Sequence, residues 1–182
     1  MNKKIDFDYY ANYFAMLEER LVNTRKYVAF EQDNLKTYSL EFVSIINECG
    51  GLINGFCVEL CHLEEHKKDE YDIRDYKNYI IKHYNQYIGN IVYCGRFTLM
   101  PWQRLKSETG NSPKWWGIYN SIKHGGSAQF KEANLENTIS CMAGMFSLLY
   151  MYDIERFGTR MSNWRGFFRF CGNCNKVVSW EC

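Results

Sequence analysis

The sequence predicts an all-α protein, a bundle of four to five helices followed by a short cysteine-containing C-terminal tail. Apolar residues recur at steps of three and four through most of the chain before Gly158. Only two prolines occur, Pro101 and Pro113, which leaves long stretches free to be helical. With 46% hydrophobic and 17% aromatic residues in 182 positions, the chain holds enough apolar material for one domain-sized core. We expect the bundle to occupy residues 1–157 and the tail residues 158–182.

The elements follow from the spacing. Phe7, Tyr10, Phe14, Leu17, Leu21 and Val28 form one stripe of a first helix over 6–30, with Glu18, Glu19, Arg20 and Arg25 elsewhere on the cylinder. A second helix begins near Ser39 and runs through Phe42, Ile46, Cys49, Ile53, Phe56, Leu60 and Leu63. Gly50-Gly51 interrupts it at about 1 kcal/mol per glycine in helix propensity, which points to a kink or a close helix crossing. A polar run from Glu64 to Glu70 leads to a third helix over 71–90, rich in Tyr and Ile. Residues 91–112 read as a helix end and an ordered loop around Pro101, leading to a short helix over 113–124. The last helix, 134–157, is apolar almost all round and is expected at the centre of the bundle. The only room for a sheet is a small hairpin at Cys171–Trp180.

The run from Ser112 to Gly126 holds the candidate site. Ser112 suits a cap, Pro113 the first helical position, and Gly125-Gly126 a left-handed stop. At 3.6 residues per turn, Trp115, Ile118, Tyr119 and Ile122 share one face, while Trp116, Asn120, Lys123 and His124 gather on another. Lys123 offers a point charge for a phosphate, Asn120 a hydrogen bond to the same group, and His124 an imidazole for acid or base work. Asn, Lys and His are also ordinary residues of a helix end, where cations complement the dipole.

The run Trp115-Trp116 through Tyr119-Asn120-Ser121-Ile122-Lys123-His124, followed by Ala133-Asn134-Leu135 at the start of a long apolar helix, resembles the motif region of HEPN-domain proteins, in their abortive-infection and toxin-like branch. The resemblance implies an all-α bundle over 5–157 that works as a homodimer, with two motifs meeting to form one RNA-cleaving site. His124 matches the family histidine and Asn120 its polar residue; Tyr119 stands where the family has an arginine. A phenol supplies neither the charge nor the fork geometry with which guanidinium holds a phosphate. The implied activity is metal-independent RNA cleavage with His124, Asn120 and Lys123 as catalytic residues. The alternative is a catalytically inactive module that binds RNA, a nucleotide or a partner protein within a defence or toxin–antitoxin system. Arg96, Arg104, Arg156 and Arg160 are candidates to replace the missing guanidinium. No cofactor and no resident metal are expected.

The formal net charge of +1 divides unevenly, −4 over residues 1–95 and +5 over 96–182. The basic half suits a phosphate-bearing ligand without by itself announcing a nucleic-acid binder. Nothing near the first residues forms an apolar signal core, and the uncharged run Asn137–Tyr152 is short for a membrane span of about 20 residues, so a cytoplasmic protein without membrane contact is expected. The eight cysteines then read as largely reduced thiols, Cys49, Cys57 and Cys141 among them as core residues. Cys171 and Cys174 resemble half of a zinc knuckle, with Cys182 as a third thiolate, but no fourth ligand is evident. Cys57/Cys61 and His62/His66 are i,i+4 pairs about 100° apart on the second helix, an arrangement that disfavours a shared metal. Arg160, Arg165 and Arg169, interleaved with Trp164, Phe167, Phe168 and Phe170, either hold phosphates and stack bases or pack as aromatics with the arginines turned outward, and the second is favoured.

Overall fold

The computed structural model describes residues 5–64, 68–106, 112–158 and 164–170. Five helices make up most of it: α1 (Phe7–Asn23), α2 (Leu40–Cys61), α3 (Ile73–Tyr84), α4 (Lys114–Gly125) and α5 (Leu135–Phe157). Four have side-chain caps at their starts. Asp6 accepts from the Tyr9 N–H, Ser39 from Phe42 and Asn134 from Asn137, while Asp72 and Asp75 form a reciprocal capping box on α3. The first helix is shorter than its stripe predicts. It ends at Asn23 and passes into a single 3-10 turn, Thr24–Lys26, where the Thr24 hydroxyl donates to the Leu21 carbonyl.

The core lies between α2 and α5. As its composition predicts, α5 is buried on nearly every side, with sixteen of its residues out of solvent. α2 continues through Gly50-Gly51 without a break. Phe14, Leu17 and Leu21 of α1 close one side of the core, and Tyr76, Ile80 and Tyr84 of α3 another. Cys49, Cys57 and Cys141 are buried free thiols. Burial pushes the Cys49 and Cys57 thiols well above the usual range, with a hydrogen bond to Cys141 adding to the effect at Cys49. Such thiols pack as small apolar groups and resist oxidation. No helix among the described residues is long and apolar enough to cross a membrane.

A small antiparallel sheet departs from the all-helical expectation. β1 (Val92–Cys94) and β2 (Phe97–Leu99) form a hairpin, and β3 (Phe168–Phe170) pairs with the other edge of β1, giving the order β2-β1-β3. Gly95, at φ +60°, opens the two-residue turn and supplies the positive φ that such hairpins need. The segment expected to be a helix end and loop is therefore a hairpin for part of its length. The hairpin expected at Cys171–Trp180 and the three tail cysteines, Cys171, Cys174 and Cys182, lie outside the described residues.

The segment 164–170 packs on the bundle through its aromatics. Trp164 and Phe168 meet Phe14 and Phe146, and Phe170 stacks on Tyr150 at 4.0 Å between centroids. Its anchor is a buried carboxylate. Glu18, 7% exposed, accepts the Phe168 N–H at 2.9 Å and the Trp164 indole N–H at 3.5 Å. The chain comes so close that a Cβ at Gly166 would lie 2.1 Å from Glu18 Oε2. Gly166→Ala should therefore push the Glu18 carboxylate and the Trp164 ring aside and weaken the Phe168 hydrogen bond that anchors β3, read as a lower thermal-unfolding midpoint.

Burial raises the pKa of Glu18 against the lowering effect of the Phe168 N–H and the Trp164 indole. A raised folded-state value means that this contribution to stability is fully present below the unfolded carboxylate value and is lost as pH rises through the folded one. Glu18→Gln preserves the acceptor oxygen and removes that loss. The urea midpoint of the variant relative to wild type should rise as pH increases from below the ordinary glutamate value of about 4.3 towards neutrality; a constant difference would show that folding does not shift the titration of Glu18.

Candidate functional site at the end of α4

The start of α4 differs from the expected one. Pro113, at φ −53° and ψ 143°, takes the cap position itself, and its carbonyl accepts the Trp116 and Gly117 N–H groups at 3.1 and 3.5 Å. Ser112 makes no capping bond because the helix begins one residue later than its spacing suggests. The other end is as predicted. Gly125 closes the helix, Gly126 adopts φ +55°, and a 3-10 segment runs on to Glu132.

Two close approaches fix the helix in the bundle. The Trp115 ring covers Gly144 of α5, where a Cβ would lie 2.8 Å from the ring, and its indole N–H donates to the Pro101 carbonyl at 3.0 Å. The Tyr119 ring covers Gly50 of α2, where a Cβ would lie 2.2 Å from Cδ2. Of the two readings of the glycine pair, the close crossing is the one observed. Trp116 turns its ring edge on Tyr76, whose hydroxyl donates to Asn54 Oδ1, so it belongs to the buried arc and not to the polar face. With Tyr119 at the level of Gly50 and Trp116 towards Asn54, α4 runs antiparallel to α2. The end of α4 emerges beside the first turns of α2.

The three predicted site residues differ in their surroundings. Asn120 is half-buried and donates from Nδ2 to the Trp116 carbonyl one turn back, at 3.1 Å. Lys123 is exposed, with Nζ 5.6 Å from the centroid of the Tyr119 ring, a cation–π distance. His124 is exposed in the last turn. The helix thus presents an ammonium and an imidazole together at its negative end, with a partly engaged amide one turn below.

Of the candidate arginines, the three among the described residues do not join this group. Arg96 pairs with Glu31 at 2.5 Å, and Arg156 is exposed in the last turn of α5. Arg104 lines a pocket of about 140 Å³ with Lys114, Glu136, Asn137 and Ser140 at the opposite end of α4, roughly 15 Å from His124 along the axis at 1.5 Å per residue. Arg160 lies outside the described residues. No local pattern encodes the Arg104 pocket, because its walls come from the loop after β2, the start of α4 and the first turns of α5.

His62 meets the edge of the Tyr71 ring, whereas His66 lies outside the described residues. Burial pushes the Cys61 thiol up to about 11. His83 pairs with Glu64 at 2.6 Å, and its ring lies against Tyr79. Glu64 also accepts from Lys82, so the carboxylate bridges two side chains of α3 that the sequence could not assign to it. Among the described residues no group of three or more His, Cys, Asp or Glu side chains is placed to hold a metal ion.

The architecture and this cluster define a five-helix bundle with a three-stranded sheet and a polar, cationic helix end. No family model, curated protein or solved structure matches the chain.

The Gly50–Tyr119 contact sets the position of Lys123 and His124, and it can be tested by crowding it. Gly50→Ala places a methyl into the Tyr119 ring and should lower stability by about 1–3 kcal/mol, the usual cost of overpacking. In Gly50→Ala/Tyr119→Leu, most of that loss should be recovered relative to Tyr119→Leu alone. Urea denaturation of the four proteins of this cycle measures the coupling, and strict additivity would show that the crossing tolerates a side chain.

Proposed function

We propose that this chain is an HEPN-like RNA-acting protein whose working surface is the end of α4. The observation that carries the reading is the exposure of Lys123 and His124 side by side on a helix whose other face is locked into the core. On this reading the Lys123 ammonium attracts a phosphodiester. His124 exchanges a proton with the ribose 2′-hydroxyl or the leaving 5′-oxygen, and Asn120 orients the phosphate. Attack of the 2′-oxygen on phosphorus breaks the P–O5′ bond, leaving a 2′,3′-cyclic phosphate and a free 5′-hydroxyl. The resemblance adds a homodimer, in which a second copy brings its own α4 end to the same cleft, and a role in antiviral defence or a toxin–antitoxin pair.

A second reading is favoured by Tyr119. Its ring is 4% exposed and fills the crossing at Gly50, so this position is committed to packing and offers no guanidinium to a scissile phosphate. The protein is then a binding and dimerisation module for RNA, a nucleotide or a partner protein, without cleavage.

One experiment separates them. Single-stranded RNA is incubated with the protein in the presence of a chelator, and the products are examined for 2′,3′-cyclic phosphate ends. Under the first reading His124→Ala lowers the cleavage rate by about 10²–10⁴-fold while thermal unfolding is unchanged. Under the second, wild type leaves the RNA intact, and Lys123→Ala weakens binding with a shallower dependence on salt. Cleavage that persists unaltered in His124→Ala would remove this histidine from the site.

A further inference from the structure

The small sheet carries a surface that the end of α4 does not explain. Val92, Cys94 and Phe168 face the core, so the alternate residues of the three strands form the open face. The register places Tyr93 directly between Thr98 and Arg169, with Thr98 and Arg169 exposed and Tyr93 half-buried. Directly opposed residues on neighbouring strands hold their Cβ atoms about 5 Å apart, so Arg169 and Tyr93 are cross-strand neighbours on the same face.

At the turn end of the sheet the cations multiply. Phe167 packs over the hairpin turn, where a Cβ at Gly95 would lie 3.2 Å from its ring. The Arg25 guanidinium carbon lies 5.9 Å from the centroid of that same ring and 5.7 Å from Phe30. Arg96 projects from the turn itself, and Arg165 precedes Phe167 by two residues. The short 3-10 turn that carries Arg25 also brings Lys26 and then Tyr27, which at 88% exposure is the most exposed large apolar side chain of the described residues.

The charge is of one sign. The three segments that build this surface, 24–27, 95–98 and 164–169, contain no acidic residue. Among the described residues, two carboxylates pair with its groups. Glu31 pairs with Arg96 at the rim, and Glu18 is buried beneath β3, where its oxygens serve the backbone and the Trp164 indole. Four exposed guanidiniums, Arg25, Arg96, Arg165 and Arg169, are therefore interleaved with two accessible phenol rings, Tyr27 and Tyr93. Three strands at about 4.8 Å spacing give an open face about 10 Å across, room for a few extended nucleotides.

We infer that the open face of the β2-β1-β3 sheet, with Arg25 and Tyr27 at its rim, binds single-stranded nucleic acid: arginines hold successive phosphates, and Tyr93 and Tyr27 stack on unpaired bases. Phosphate charge alone would suit any polyanion. Flat rings placed between guanidiniums select an occupant that has both phosphates and open base faces, which a duplex does not present. The inference is independent of any chemistry at His124, because the surface is built from α1's trailing turn, the hairpin and β3, and not from α4.

Fluorescence anisotropy with labelled rU12, dT12 and a 12-base-pair duplex tests it. Wild type should bind both single strands more tightly than the duplex. Four phosphate contacts should give a slope of log affinity against log salt near −2.8, at about −0.7 per contact, and Arg165→Ala/Arg169→Ala should make that slope shallower by about 1.4. Tyr93→Thr and Tyr27→Ser should each weaken binding by about fivefold or more without changing the slope. All these substitutions are on exposed or half-exposed side chains, and unchanged thermal unfolding confirms that the sheet is intact. Failure of wild type to bind either single strand overturns the inference, as does equal affinity for the duplex with no effect of the tyrosine substitutions. Binding that is lost in Lys123→Ala but kept in Arg165→Ala/Arg169→Ala also overturns it, while supporting the α4 reading.

Discussion

The close approach of α4 to its two neighbours is the constraint from which the site follows. Gly50 on α2 and Gly144 on α5 remove the side chains that would hold the helices apart, and the Tyr119 and Trp115 rings occupy the space. Aromatic rings against glycine backbones bury a large area in a small separation, which fixes both the depth and the rotation of α4. The rotation decides which residues remain outside. Lys123 and His124 are exposed because Trp115, Tyr119 and Ile122 are turned inward, and Lys123 keeps a contact with the outer side of the Tyr119 ring. A residue at position 119 thus serves packing and site placement at once.

Much of this was legible in the sequence, and the parts that were not share a cause. α5 announced itself because an all-apolar cylinder can only be a central one, and the glycine pair at 50–51 narrowed the choice to a kink or a helix crossing, of which the structure has the crossing. Spacing alone places Trp116 on the polar face, because a stripe drawn for one neighbour misses a helix that touches three. α4 meets α2, α5 and, through Tyr76, α3, and its buried arc is accordingly wider. The position of Lys123 and His124 was readable from the helix end, but the separation of Arg104 from them was not, since it depends on the path of the loop before α4.

The sheet shows the same limit more sharply. Three-residue strands are too short for alternation to rise above noise, and β1 takes its second partner from beyond α5. Glu18 reads in isolation as a solvated charge on an amphipathic helix. Its burial arises from the N–H of Phe168, 150 residues away, and no local pattern encodes such a partner. Conversely, the interleaved arginines and aromatics of the tail were recognisable as a pattern with two meanings. The structure shows the aromatics Trp164 and Phe168 packed inward and Arg165 and Arg169 outward, and it adds the neighbours Arg25 and Arg96 that the linear order conceals.

The strand order has a consequence for synthesis of the chain. β1 is the middle strand, yet it is translated together with only one partner, and the other is made after α4 and α5 are complete. At roughly 5–20 residues per second, the far edge of β1 waits on the order of 4–15 s for β3 to leave the ribosome. Throughout that interval Tyr93, whose N–H and C=O face away from β2, carries unpaired backbone groups between the apolar side chains of Val92 and Cys94, the kind of edge that recruits other strands. A nascent chain halted within this window exposes a sticky edge, whereas a released one covers it, so for this fold the pace of translation past α5 bears directly on the yield of soluble protein.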